Sequence, residues 1–175
     1  MPKTVSIVPH MPSVELAVRP IRDGDLPFLR ELYAASRAAE LAPVPWTPEQ
    51  KRAFLDSQFD AQHAHYQQHY PNAAFDLILV NGEPAGRVYL DRRATDLRVV
   101  DIVLLPKFQR KGIGSAFLRA IAAYADSEGM TTSLHVEQFN PALALYARLG
   151  FHVVGTNGVY YLMERTSEAT NARSV

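Results

Sequence analysis

The stretch DIVLLPKFQRKGIGSAFLRAI, Asp101 to Ile121, joins an apolar, β-rich run to a helical repeat through a short turn that carries two glycines. A strand is expected to end at Leu105-Pro106, and Gln109-Arg110-Lys111-Gly112-Ile113-Gly114 to open the helix. The first amides of a helix have no intrahelical acceptor and carry partial positive charge, so such a junction suits a phosphate. Gly112 and Gly114 remove side chains where a diphosphate can approach the backbone, Arg110 and Lys111 add charge, and Ser115 adds a hydroxyl. The glycines match neither the G-x-x-x-x-G-K-S/T phosphate loop nor the dinucleotide pattern G-x-G-x-x-G. Taken alone, two glycines are also what an ordinary helix start with solvated basic residues looks like.

The rest of the chain sets this junction in a mixed α/β order. Residues 1–13 read as a flexible leader and Val14 to Arg19 as a first strand. Leu26 to Leu41 has helical spacing, and Thr47-Pro48-Glu49-Gln50 caps a second helix that runs to about His69. Strands at Ala74 to Val80 and Ala85 to Asp91 flank an Asn81-Gly82 hairpin signal, and Leu97 to Leu105 follows as a third strand of this run. Ile113, Phe117, Ala120, Ile121 and Tyr124 share one face of a helix from Gly112 to Glu128, which Gly129 stops. Ser133 to Val136, a helix at Pro141 to Leu149, and strands at Phe151 to Gly155 and Val159 to Met163 complete a single domain, 14–165. Residues 166–175 read as a flexible tail.

Composition narrows the functional classes. Eighteen basic residues balance eighteen acidic ones, so no general field draws the protein to nucleic acid or anionic lipid, and neither is an expected partner. No apolar run reaches the length of a membrane helix, and the first twenty residues do not read as a secretory signal. The absence of cysteine excludes disulfides and thiolate chemistry and fits a cytoplasmic location. His65 and His69 have metal-ligand spacing, but no glutamate or third ligand accompanies them, so no metal is expected.

With these elements in order, the loop resembles that of the GNAT family of N-acetyltransferases, which reads Gln/Arg-x-x-Gly-x-Gly/Ala. Gln109, Gly112 and Gly114 occupy its positions. NPALALYARLGF, Asn140 to Phe151, is similar to the family's downstream Asn-Pro-Ala…Leu-Tyr-x-x-Leu-Gly-Phe segment, and VVGTNGVYYLMER to its closing strands. The resemblance covers about 14–165 and implies a mostly antiparallel central sheet, flanked by helices and splayed where acetyl-coenzyme A binds. It implies that backbone groups of Ile102, Val103 and Leu104 hold the pantetheine arm and the thioester oxygen. Amides from Arg110 through Ser115, Ile113 included, would hold the diphosphate, and Asn140 would touch the pantetheine.

The same resemblance makes Tyr146 the proton donor to the departing thiolate; packing beside Leu145 and Leu149 is the other reading of that ring. His135 and Glu137, on one face of LHVEQ, are candidates for the base that takes the amine proton, directly or through water, with Asp101 a third. In the family the first helices and closing strands select the acceptor. Tyr33, Trp46, Tyr66, Arg87 and Asp101 are the candidate residues there, with Tyr70 and Tyr160 as further aromatics and Arg87 needing an anionic partner if buried. The expected reaction is acetyl transfer from acetyl-coenzyme A to a primary amine of a small molecule. A protein lysine or N-terminus, or a silent acyl-coenzyme A sensor, are the alternatives, and a homodimer is the expected assembly.

Overall fold

The computed structural model describes residues 4–167. Its strands are β1 (Leu16–Pro20), β2 (Ala74–Val80), β3 (Glu83–Arg92), β4 (Asp96–Leu104), β5 (Thr131–Glu137), β6 (His152–Asn157) and β7 (Tyr160–Arg165). They form one sheet in the order β1-β2-β3-β4-β5-β7-β6, antiparallel except where β4 meets β5. Helices α1 (Leu26–Leu41) and α2 (Pro48–His69) cover one face; α3 (Ile113–Ser127) covers the other, and α4 (Leu143–Arg148) leads into β6.

Local chemistry explains the element ends. Thr47 Oγ1 accepts from the Gln50 amide at 3.1 Å and Gln50 Oε1 from the Thr47 amide at 2.9 Å, so the start of α2 leaves neither donor unpaired. Asn81 and Gly82 both take positive φ, 50° and 79°, as the two-residue turn between β2 and β3 requires. Alternation along β2 sends Leu77 to α1 and α2, among Leu29, Leu32 and Phe59, and Ile78 to the α3 face with Phe117 and Ile121.

Several boundaries differ from those read in the sequence. The first strand begins at Leu16 because Val14 closes a short turn by bridging to Met11. Residues 4–13, read as a leader, lie against the domain: Val5 is buried, Ile7 and Met11 pack on the α3-side core, and Ser6 donates to Asp76. The fourth helix starts at Leu143 rather than Pro141, since Asn140 Oδ1 accepts from the Ala142 amide and holds those residues in a turn. Of the tail, Ser167 is buried, and residues 168–175 lie outside the described residues.

One discontinuity positions the site. β4 and β5 pair only from Asp96↔Thr131 to Val99↔Leu134, then separate. At the same level β4 bulges against β3, where Tyr89 faces Asp101 and Leu90 faces Val99, leaving Val100 as the extra residue.

Candidate active site

Beyond the bulge, the pairing pattern decides which backbone groups face the gap. The Leu105 amide donates to Ala85 O at 2.8 Å, which makes Val103/Arg87 and Asp101/Tyr89 the hydrogen-bonded pairs of the β3–β4 ladder. Alternation then turns the N–H and C=O groups of Ile102 and Leu104 away from β3, toward the opening beside β5. Gln109 Nε2 donates to Leu104 O at 2.8 Å, tying the loop to the end of β4. Val103, named with Ile102 and Leu104 from the sequence, has its backbone groups taken up by Arg87.

The loop continues into α3 with Arg110 at φ 59° and Gly112 at φ 80°, so Gly112 stands where an L side chain is strained. Gly114 differs: a Cβ there would only touch Leu104, at 3.9 Å. The first intrahelical bond runs from Ala116 to Gly112 O, which leaves the amides of Ile113, Gly114 and Ser115 without intrahelical acceptors. Gln109, Arg110, Lys111 and Gly112 are exposed around them. Free amides, two basic side chains and a gap with unpaired strand backbone fit the diphosphate and the amide-bearing arm of coenzyme A.

A cavity of about 340 Å³ lies in the gap. Ile102, Val103 and Asp101 line it from β4, His135 and Glu137 from β5, and Asn140, Tyr146 and Tyr160 from the segments that follow. From α1, α2 and β3 come Tyr33, Tyr66 and Arg87. Of the residues singled out in the sequence for the acceptor, Tyr70 and Trp46 do not line it, and Trp46 stands in the α1–α2 connection with its ring edge-on to Phe54 at 5.3 Å. A second cleft, about 430 Å³, shares Tyr66, His135 and Tyr160 and adds His65 and Tyr70. A larger space of about 570 Å³ lies between the start of α1, α2 and β2, away from the β4–β5 gap.

Charge in the cavity centres on Arg87, which is 3% exposed. Its Nη2 donates to Asp101 Oδ2 at 2.5 Å and Gln62 Oε1 at 2.8 Å, its guanidinium lies 5.0 Å from the Tyr89 ring centroid, and Nε has no partner. Burial alone lowers the pKa of this guanidinium; Asp101, Tyr89 and Tyr66 more than offset that and hold it above its ordinary value. Burial, with Asp101 nearby, also pushes the Tyr66 and Tyr146 phenols up, so both carry their protons at neutral pH. Tyr146 is half-buried with its ring edge-on to Phe151 at 5.9 Å. Asn140 uses Oδ1 to hold the Ala142 amide, and Glu137 is exposed on the cavity wall.

Several lining residues were not singled out in the sequence. Ser36, Arg37 and Glu40 continue the cavity face of α1 one and two turns beyond Tyr33, and Gln62 precedes Tyr66 by one turn of α2. Arg37 bonds both Tyr33 Oη and Glu40, each at 2.8 Å. Helical spacing from the tyrosines was the signal for all four. Among the described residues no group of three His, Cys, Asp or Glu side chains gathers as a metal site, and no helix is long and apolar enough to cross a membrane. His65 and His69 stack with centroids 4.0 Å apart.

Comparison with known proteins agrees with this architecture. PaiA N-acetyltransferase from Thermoplasma acidophilum, solved with coenzyme A, is 20% identical and superposes with a TM-score of 0.65 over 87% of this chain and 99% of its own. The ribosomal-protein-S18-alanine N-acetyltransferase of Escherichia coli is 21% identical, with a TM-score of 0.56 over 87% of this chain and 94% of its own. RimL, a ribosomal L7/L12 α-N-protein acetyltransferase solved with coenzyme A, is 21% identical, with a TM-score of 0.59 over 94% and 99%. At these identities the likeness is one of fold. No curated protein matches. The model of the acetyltransferase (GNAT) family matches residues 29–151, spanning the splayed strands, the loop and the tyrosine, and the chain belongs to that family.

Proposed function

We propose that the protein transfers the acetyl group of acetyl-coenzyme A to the primary amine of a small molecule by direct attack in a ternary complex. The observation that carries this reading is the splay of β4 from β5 beside a helix start whose amides are free, with ionisable side chains gathered in the same gap. Acetyl-coenzyme A supplies the activated acyl group. The amides of Ile113, Gly114 and Ser115, with Arg110 and Lys111, hold the diphosphate, while Gln109 fixes the loop against Leu104. An N–H of Ile102 or Leu104 donates to the thioester oxygen, where a fixed donor is worth about 3 kcal/mol as charge develops.

An ammonium such as lysine's, with a pKa near 10.4, costs about 4–5 kcal/mol to present neutral at pH 7. Glu137, exposed on the cavity wall beside His135, accepts that proton directly or through water. The amine nitrogen forms its bond to the acyl carbon as the carbon–sulfur bond breaks, and Tyr146 gives its phenolic proton to the leaving sulfur. Asn140 contributes its Nδ2 to the pantetheine side. Tyr33, Tyr66, Arg87 and Asp101 shape the acceptor end, and the enclosure of this end by α1 and α2 favours a small acceptor over a protein segment. The absence of cysteine supports a cytoplasmic setting.

A thiol-release screen of amines, amino acids and peptides with acetyl-coenzyme A tests the proposal. Turnover confined to small amines supports it, turnover confined to peptides moves the acceptor to proteins, and tight coenzyme binding without turnover makes the domain a sensor. A homodimer is the assembly we expect, supported by exposed Val153, Val154 and Val159 near the β6 edge; a monomer mass by light scattering at micromolar concentration refutes it.

A further inference from the structure

His135 is the first residue of β5 beyond the paired register, and a chain of hydrogen bonds reaches it from the last paired residues. Asp96 Oδ1 accepts from Thr131 Oγ1 at 2.7 Å, and Asp96 Oδ2 from Ser133 Oγ at 2.5 Å. Ser133 Oγ in turn accepts from Arg98 Nε at 2.7 Å, and Arg98 Nη1 lies 3.0 Å from His135 Nδ1. A carboxylate only accepts and a guanidinium only donates, so each bond in the chain has one direction. Arg98 is 8% exposed and has no freedom to turn away. Nδ1 of His135 is therefore the acceptor, and in the neutral ring the proton sits on Nε2.

We propose that Arg98 fixes His135 as a hydrogen-bond donor into the acceptor end of the cleft, so that His135 grips an oxygen of the bound amine and does not serve as the general base. A base role needs a lone pair toward the substrate, but the lone pair of this tautomer points at Arg98. Protonation would set an imidazolium 3.0 Å from a guanidinium. Burial, then Arg98 and Arg93, hold the ring below the ordinary histidine range, which keeps it neutral at pH 7. Titratable and charged groups that line its two clefts from other elements include His65 and Tyr66 of α2, Arg87 of β3, Asp101 of β4, Tyr146 of α4 and Tyr160 of β7. Glu137 lies on the same face of its own strand. Arg98 is then a positioning residue: it touches no substrate and acts through His135. The proposal rests on the cleft admitting an amine, and it adds that the amine carries an oxygen acceptor.

Long-range proton–nitrogen NMR of the 15N-labelled full chain tests it, with His135→Gln to assign the signal. The expected result is the Nε2–H tautomer at pH 7 with a midpoint below the free-histidine value of about 6.5. Arg98→Met, checked for folding by circular dichroism, should mix the tautomers and raise the midpoint. With an amine found by thiol release, His135→Ala should lower kcat/KM about tenfold, and His135→Gln, whose amide NH₂ stands near Nε2–H, should recover most of that loss. The acid limb of the pH profile should survive in His135→Gln. An Nδ1–H tautomer, an imidazolium at pH 7, or equal losses in both variants with the acid limb gone would overturn the proposal. The NMR measurement needs no acceptor, so a failed search for turnover counts against acetyl transfer and leaves the His135 result standing.

Discussion

Asp101→Asn isolates the ion pair at the centre of the cavity. Arg87 is 3% exposed and Asp101 18% by side chain, so the substitution leaves a buried guanidinium facing a neutral amide, with Gln62 as its remaining strong acceptor. Two charges about 4 Å apart at an effective dielectric near 20 interact by about 4 kcal/mol. Partial exposure of Asp101 and the acceptor oxygen kept by Asn trim that to about 2–4 kcal/mol, in line with the cost of removing one partner of a buried pair. For a domain of this size each kcal/mol is worth about 2–4 °C, so the melting temperature should fall by roughly 4–16 °C. Calorimetry without substrates at pH 7 reads this directly. Arg87→Met with Asp101→Leu, which removes both charges, should lose less than Asp101→Asn alone. A fall below about 2 °C for the single variant, or a larger loss for the double, would refute the reasoning.

Acetyl-coenzyme A should raise the melting temperature of the parent protein, and Gly112→Val, which forces a β-branched residue to φ 80°, should abolish that shift; an undiminished shift would remove the loop from the binding account. Tyr146→Phe keeps the ring on Phe151 and removes the proton, so kcat should drop about 100-fold while coenzyme affinity and melting temperature hold; equal turnover would reduce Tyr146 to packing. Burial raises the Asp76 carboxyl above its ordinary range, with Ser6 opposing. The folded state therefore binds that proton more tightly than the unfolded chain, and stability is lost as pH climbs from the ordinary carboxylate pKa through the raised one. Asp76→Asn should stabilise at pH 7 and matter little near pH 3; thermal melts showing the reverse order would contradict the assignment.

Most of the fold was legible because α1, α2, β2 and α3 each carry their own boundary signal: a periodic apolar face, the Thr47–Gln50 cap, the Asn81-Gly82 turn, the loop glycines. Packing of residues 4–13 was not legible, since it depends on Asp76 and the α3-side core, distant in sequence. The site divides in the same way. Gln109, Gly112 and Tyr146 stand in local motifs and could be named, and the need of a buried Arg87 for an anionic partner could be stated, though not which anion; Asp101 meets it. The orientation of His135 could not be foreseen, because Arg98 lies thirty-seven residues away on another strand and only the parallel register joins them. Trp46 carried the composition of a binding residue but not its location; its partner Phe54 is nearly two helical turns into α2.

The separation of β4 from β5 also exposes the protein to a hazard. Ile102 presents an amide and a carbonyl, and Leu104 an amide, inside the sheet, where no neighbouring strand covers them as proteins cover an outer edge. Until a ligand fills it, the gap is a template for any extended segment long enough to enter, including one from a neighbouring unfolded chain. Coenzyme occupancy would then act as a safeguard against aggregation as well as a step in turnover, and the chain would be most vulnerable when starved of its acyl donor.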